Sequence, residues 1–143
     1  MTGWETMTAA EHPTVWPVLH YDDTTTALRF LVDAFGFRAA LVVSDGDGNV
    51  VHAEMRWPAG GAVVFGSTKH VYSVHGQMRA GTGACYVATD DVDTVFERAV
   101  RTNAEIVERP HKTAFGSGVP TRAFTARDRE GNLWRFGTYR GAP

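Results

Sequence analysis

The chain has 143 residues, the usual size of one compact domain. Its 14 basic and 16 acidic residues give a net charge of −2, so neither a nucleic acid nor a membrane is expected as a partner. The single cysteine, Cys85, excludes an intramolecular disulfide. Because no membrane-spanning segment or secretory signal is found in the sequence, we expect a cytoplasmic protein.

The sequence divides into a polar leader and one folded domain. Residues 1–13 have no hydrophobic periodicity, so a flexible N-terminal leader is expected there. Residues 14–143 form the domain. It consists of a first unit over 14–68, a linker over 69–82 and a second unit over 83–140.

The first unit has the pattern of a strand, a helix and three further strands. An apolar segment over 15–21 indicates a buried strand, and Pro17 within it favours an edge position. Asp23 precedes three threonines as a helix N-cap, and Gly36 stands where a C-cap glycine belongs. Apolar residues recur on one helical face between these caps. The three later strands are predicted over 37–43, 50–57 and 62–67.

The second unit repeats this order. A helix over 92–100 follows Asp90, and Asn103 takes the C-cap place that Gly36 has earlier. The spacing from Asp23 to Asp90 equals that from Gly36 to Asn103, a repeat of about 67 residues. Strands are predicted over 83–88, 105–109, 121–127 and 133–139, and Pro110 is expected to end the second of them. The fold class is therefore α+β, with two tandem βαβββ units whose curved mixed sheets surround a concave cleft.

Three segments in order resemble the vicinal oxygen chelate superfamily, which includes glyoxalase I, extradiol dioxygenases and bleomycin-resistance proteins. They are residues 23–37, 90–93 and 128–139. The third is similar to the family's D-P-x-G-N stretch before its last strand, with Arg129 in place of proline. The resemblance extends over residues 14–139 and implies the fold expected from the repeat.

For enzymatic members, the resemblance implies a metal held by His, Gln or Glu from the first and fourth strands of each unit. Aligned on the local motifs, these four positions are occupied by Trp16, Val64, Ala84 and Arg135. An indole, two aliphatic groups and a guanidinium offer no lone pair to a divalent cation. A register slip of one residue brings in poor ligands as well: Val15, Cys85, Phe65, Trp134 and Phe136. Neither a metal nor another cofactor is therefore expected.

Loss of these ligands makes the chain similar to the bleomycin-resistance-type proteins, which are dimers that sequester a drug without altering it. The resemblance thus implies a homodimer that binds an antibiotic or natural product, for self-protection or resistance. Trp16 suggests stacking on a planar, largely apolar ligand, and Arg135 could bind a carbonyl or acidic group. The candidate ligand-binding residues are Trp16, Val18, His20, His52, Glu54, Val64, Tyr72, Met78, Ala84, Tyr86 and Arg135.

An enzyme of the same fold is the alternative, acting as a lyase, an isomerase or a catalyst of natural-product biosynthesis. It would be metal-independent or would use a relocated metal, with His52, Glu54 and His20 as acid/base groups or ligands. His52, Glu54 and Arg56 share one strand face, which equally fits an exposed ion-pair ladder or a polar pocket wall. A third reading is a defunct site. The sequence also leaves open whether the cleft forms within one chain or across a dimer.

Several other residues have plain structural interpretations. The linker contains His70, Tyr72, His75 and Met78, which fit either a lid over the ligand or an ordinary crossover. Trp57 and Trp134 are predicted to lie in the core, and Cys85 to face the helix side as an inert thiol. The glycine-rich stretch over 115–118 is predicted to be a hairpin tip and not a phosphate loop.

Overall fold

The structure, a computed structural model, describes residues 13–70, 72, 78–114 and 119–142. Residues 1–12 of the leader, His75 of the linker and the predicted hairpin tip at 115–118 lie outside the described residues. Among the described residues, no helix is long and apolar enough to cross a membrane.

The first unit forms a four-stranded mixed sheet with one helix. Its elements are β1 (Val18–Tyr21), α1 (Thr24–Phe30) with a π-helical continuation (Leu31–Phe35), β2 (Arg38–Ser44), β3 (Val50–Arg56) and β4 (Ala62–Ser67). The strand order is β1-β4-β3-β2. β1 runs parallel to β4, and the other pairs are antiparallel.

The second unit repeats this architecture. Its elements are β5 (Ala84–Ala88), α2 (Val92–Arg101), β6 (Glu105–Ala114), β7 (Pro120–Arg127) and β8 (Leu133–Gly137). The strand order is β5-β8-β7-β6, and β5 is parallel to β8. The two tandem βαβββ units and the α+β class are thus confirmed.

The helix caps explain where the helical segments begin and end. The Asp23 carboxylate accepts hydrogen bonds from the Thr26 backbone N–H at 3.1 Å and from its hydroxyl at 2.7 Å. Gly36 and Asn103 both have left-handed backbones, with φ of 90° and 59°. Glycine and asparagine tolerate this conformation best. Gly36 is the C-cap that the sequence predicts, whereas Asn103 follows the C-cap of α2, Thr102, by one residue.

Proline affects two strands differently. β1 begins only at Val18, directly after Pro17, and is an edge strand as predicted. The prediction that Pro110 ends its strand is wrong, because β6 continues through it to Ala114. The pairing of β6 with β7 shifts register between Glu108 and His111, so this proline lies at an irregularity of an edge strand, where it interrupts little of the ladder.

The core lies between the helix-facing sides of the two sheets. Phe35, at the end of the π-helical segment, packs on Trp134 and Phe136 of β8, with ring centroids 5.5 and 4.8 Å apart. Trp57 packs on Phe37 and Phe136. Trp134 is fully buried. Both tryptophans therefore contribute to the core, as predicted, and the two units share it.

A buried carboxylate joins the two units. Asp128, in the turn before β8, accepts hydrogen bonds from the backbone N–H groups of Glu130, Gly131 and Asn132. It also accepts from the Asn132 amide and the Trp134 indole. The hydroxyl of Tyr21, in β1 of the first unit, donates to it at 2.6 Å. Burial, followed by the nearby charge of Asp128, raises the pKa of Tyr21 far above its usual range.

We predict that Asp128→Asn lowers the free energy of unfolding by about 2–4 kcal/mol, measured by urea denaturation. The amide NH₂ would face donors that now bind a carboxylate oxygen, leaving several of them without an acceptor. Asp47→Asn, at an exposed position of the β2–β3 turn, is the matched control. It should change the free energy of unfolding by less than about 0.5 kcal/mol. Equal effects of the two substitutions would contradict the central role of Asp128.

Candidate ligand-binding site

A cavity of about 700 Å³ opens on the face of the first sheet. Three valines and three histidines are among the residues that line it. The lining residues are Val18, His20, Val51, His52, Val64, Phe65, Gly66, Ser67, His70 and Tyr72. Volume and composition are those of a pocket for a small organic molecule.

Strand alternation selects the side chains on this face. Val64 pairs with Val18 of β1 and with Glu54 of β3, so the three side chains lie next to each other on one face. Their immediate neighbours Ala53 and Phe65 pair with each other and lie fully buried in the core. The sheet thus has an apolar core side and a site side.

Two histidines at the cavity are each held by a carboxylate. Nε2 of His52 lies 2.8 Å from a Glu54 oxygen, and Nε2 of His70 lies 3.1 Å from an Asp45 oxygen. Although desolvation works to raise it, backbone hydrogen bonds hold the pKa of Asp45 below its usual value. In a neutral imidazole, the nitrogen that faces a carboxylate carries the hydrogen. Nδ1 then remains as an acceptor for a ligand.

The third polar member of the β3 face is Arg56, which behaves differently. It is only 7% exposed, and its buried Nε has no hydrogen-bond partner. Glu54, two residues before it, is engaged with His52. The polar contact on this strand face therefore joins His52 and Glu54 by a hydrogen bond and does not extend to Arg56.

Five predicted site residues meet at this cavity: Val18, His20, His52, Val64 and Tyr72. Glu54 adjoins them through His52. Trp16 is not among the lining residues, and its indole N–H donates to the Pro13 carbonyl at 2.7 Å. Met78 is exposed and does not line the cavity either.

The other three predicted residues lie in the second sheet, away from this cavity. Ala84 and Tyr86 line a smaller hollow of about 370 Å³, and the Tyr86 hydroxyl donates to the Tyr139 carbonyl. Arg135 donates to Glu108 at 2.8 Å. A hydrogen bond from Thr125, followed by the charge of Arg135, holds the pKa of Glu108 below its usual value. The charge of Arg135 is therefore already paired.

The donor positions implied by the resemblance do not fit a divalent cation. The β1–β4 ladder places Val18 opposite Val64, and the β5–β8 ladder places Tyr86 opposite Arg135. Trp16 and Ala84, the positions aligned on the family motifs, lie two residues before Val18 and Tyr86. Neither set supplies adequate oxygen or imidazole ligands. Within the described residues, no three His, Cys, Asp or Glu side chains are grouped closely enough to hold a metal.

Sequence reasoning did not assign Val51, Gly66 and Ser67 to the site, and it placed His70 only in a candidate lid. Gly66 has a clear sequence signal, because Phe65-Gly66 corresponds to Phe136-Gly137 in the repeat. A Cβ at Gly66 would approach the Val51 carbonyl oxygen to 2.7 Å, so glycine is needed where the strands come close. No local sequence pattern predicts the contact of His70 with Asp45, because the two residues lie far apart in the chain.

Residues 14–136 match the model of the Glyoxalase/Bleomycin resistance protein/Dioxygenase superfamily. Among solved structures, TioX from Micromonospora sp. ML1 is 30% identical over 88% of this chain and 99% of its own, with a TM-score of 0.71. No curated protein matches the sequence at a significant level.

Two more distant structures share the fold. Lactoylglutathione lyase from Agrobacterium tumefaciens is 18% identical over 88% of this chain and 94% of its own, with a TM-score of 0.61. A glyoxalase/bleomycin resistance protein from Streptomyces sp. CB03234 is 18% identical over 85% of this chain and 98% of its own, with a TM-score of 0.60.

We predict that Cys85 reacts slowly with thiol reagents. Burial, followed by the charge of Asp128, raises the pKa of Cys85 to about 11. Only the thiolate reacts, so at pH 8 the rate with an aromatic disulfide reagent should be about 100-fold lower in the native protein than in urea. Because Cys85 is the single cysteine of the chain, the signal is unambiguous. Native and unfolded rates within tenfold of each other would contradict this environment.

Proposed function

Because this chain belongs to the glyoxalase/bleomycin resistance protein/dioxygenase superfamily, we propose that it binds and sequesters a small molecule, an antibiotic or another natural product. The observation that supports this most directly is the first-sheet cavity. It offers about 700 Å³ of space lined by aliphatic groups and histidines, at the place where enzymatic relatives would require metal ligands.

The cavity chemistry favours a planar and largely apolar ligand. Val18, Val51 and Val64 offer apolar surface, and covering this surface with a ligand favours binding because water is displaced from it. Tyr72 is fully exposed at the cavity edge, where its ring can pack on a bound molecule. Nδ1 of His52 and of His70 can accept hydrogen bonds from polar ligand groups.

A ligand that fills this cavity should raise the unfolding temperature of the protein, and Val64→Phe should abolish the shift by occupying the space. A screen of planar natural products by thermal shift, followed by calorimetry, measures both effects. Val107→Phe is the matched control, since Val107 is exposed on β6, outside the cavity. We expect Val64→Phe to weaken binding at least about tenfold.

The outcomes of this screen separate the alternatives. Stabilisation by no compound would favour a defunct site. A ligand that is consumed, as followed by mass spectrometry, would favour the enzyme. In that case the His52–Glu54 pair is the candidate general base, because a carboxylate at 2.8 Å orients the imidazole.

The homodimer is part of this proposal, and β2 supports it. This strand is an edge of the first sheet, and all seven of its residues are exposed. Leu41, Val42 and Val43 are 41–46% exposed, which is unusual for consecutive apolar residues on an edge. A second copy packed on this strand would bury them beside the cavity.

We predict that Val42→Glu converts the dimer to a monomer at micromolar concentration, measured by size-exclusion chromatography with light scattering. The new charge would be buried without a partner in the interface. Val100→Glu, at a similarly exposed valine of α2, serves as the control and should leave the mass unchanged. A wild-type protein that is monomeric at the same concentration would rule out the dimer.

A further inference from the structure

We propose that Arg56 and Arg38 form an acid-binding site, and that the ligand of the cavity has a carboxylate in addition to its apolar body. This inference rests on the proposed binding function and specifies the ligand class. It also moves the acid-binding role from Arg135, which pairs with Glu108, to the first sheet.

The first observation is the burial of an unpaired cation. Arg56 is 7% exposed, its buried Nε has no hydrogen-bond partner, and no ion pair joins its side chain to a carboxylate of the described residues. Four other arginines each have a carboxylate partner: Arg122, Arg127, Arg135 and Arg140. A guanidinium removed from water normally needs such a partner, because its hydration is lost without compensation.

The second observation is a pair of like charges. Arg38 of β2 lies directly opposite Arg56 in the β2–β3 ladder, so both side chains leave the same face of the sheet. Arg38 likewise has no carboxylate partner among the described residues. Two cations at directly opposed positions repel each other. An anion bound between them would remove this repulsion and the unpaired charge together.

The position of this pair fits a ligand seated in the cavity. Arg56 follows Glu54 by two residues on the same face, a distance of about 7 Å along the strand. Glu54 lies opposite Val64, which lines the cavity, and Arg56 lies opposite Ala62. A molecule with an apolar body on Val64 would therefore place an acidic substituent near Arg56.

A carboxylate is the group that the geometry favours. The planar guanidinium presents parallel N–H donors that match the two oxygens of a carboxylate. Glu54 is the protein's own carboxylate on this face of β3, and it is held by His52 at 2.8 Å. In this proposal, the anion that pairs with Arg56 is supplied by the ligand.

The test compares 2-naphthoate with its neutral amide, 2-naphthamide, by titration calorimetry on the full chain at low salt. The wild type should bind the carboxylate at least about tenfold more tightly than the amide, the gain of one charged hydrogen-bonded contact. Arg56→Met should abolish this preference, because the carboxylate then loses its charged hydrogen-bonded contact. Arg101→Met, at an exposed position of α2, is the control and should retain the preference.

A second readout separates binding from a structural role. Removing an unpaired buried charge should leave the unfolding temperature of the ligand-free Arg56→Met variant unchanged or raised. A marked fall would assign Arg56 to the fold and overturn the proposal. So would equal affinity of the wild type for both probes, or an undiminished preference in the variant; in both cases, binding of the amide would leave the proposed function standing. Binding of neither probe by the wild type would count against both.

Discussion

The buried carboxylate of Asp128 is the interaction on which the arrangement of the two units depends. It organises the turn before β8 through three backbone N–H groups, and it accepts the hydroxyl of Tyr21 from the other unit. A buried acidic group is tolerated only when its acceptor capacity is filled, as it is here. Because Tyr21 ends β1, this one hydrogen-bond cluster positions the first sheet relative to the second.

The shared core determines which sheet faces remain for binding. Phe35 and Phe37 of the first unit pack on Trp134 of the second, so the helix-facing sides of both sheets are buried in the core. The opposite faces then differ between the two repeats. The first sheet presents valines and carboxylate-held histidines around an open cavity, whereas the second presents ion pairs such as Arg135 with Glu108. A duplicated fold has thus diverged into one unit with a cavity and one with a self-paired polar face.

Much of this fold could be predicted from local sequence patterns. Asp23 at a helix start, and Gly36 and Asn103 at left-handed positions after the helices, are residue types that these local conformations favour. Pro110 misled the prediction, because a proline interrupts a strand only if its missing N–H is needed by a neighbour. At an irregularity of an edge strand, no neighbouring strand needs that N–H. The edge position of β6 depends on the strand order of the whole sheet, which the local sequence does not reveal.

Sequence patterns were enough to predict the order of elements, the duplication, the family and the unsuitability of Val64 and Arg135 as metal ligands. The chemistry of a side chain and the period of a strand are local properties. The folded chain was needed to show that His70 contacts Asp45, that Arg38 lies opposite Arg56 and that the Trp16 indole donates to the Pro13 carbonyl. Strand register and loop placement bring these groups together, and both depend on how the whole chain packs, because a one-residue shift would send every side chain of a strand to the other face.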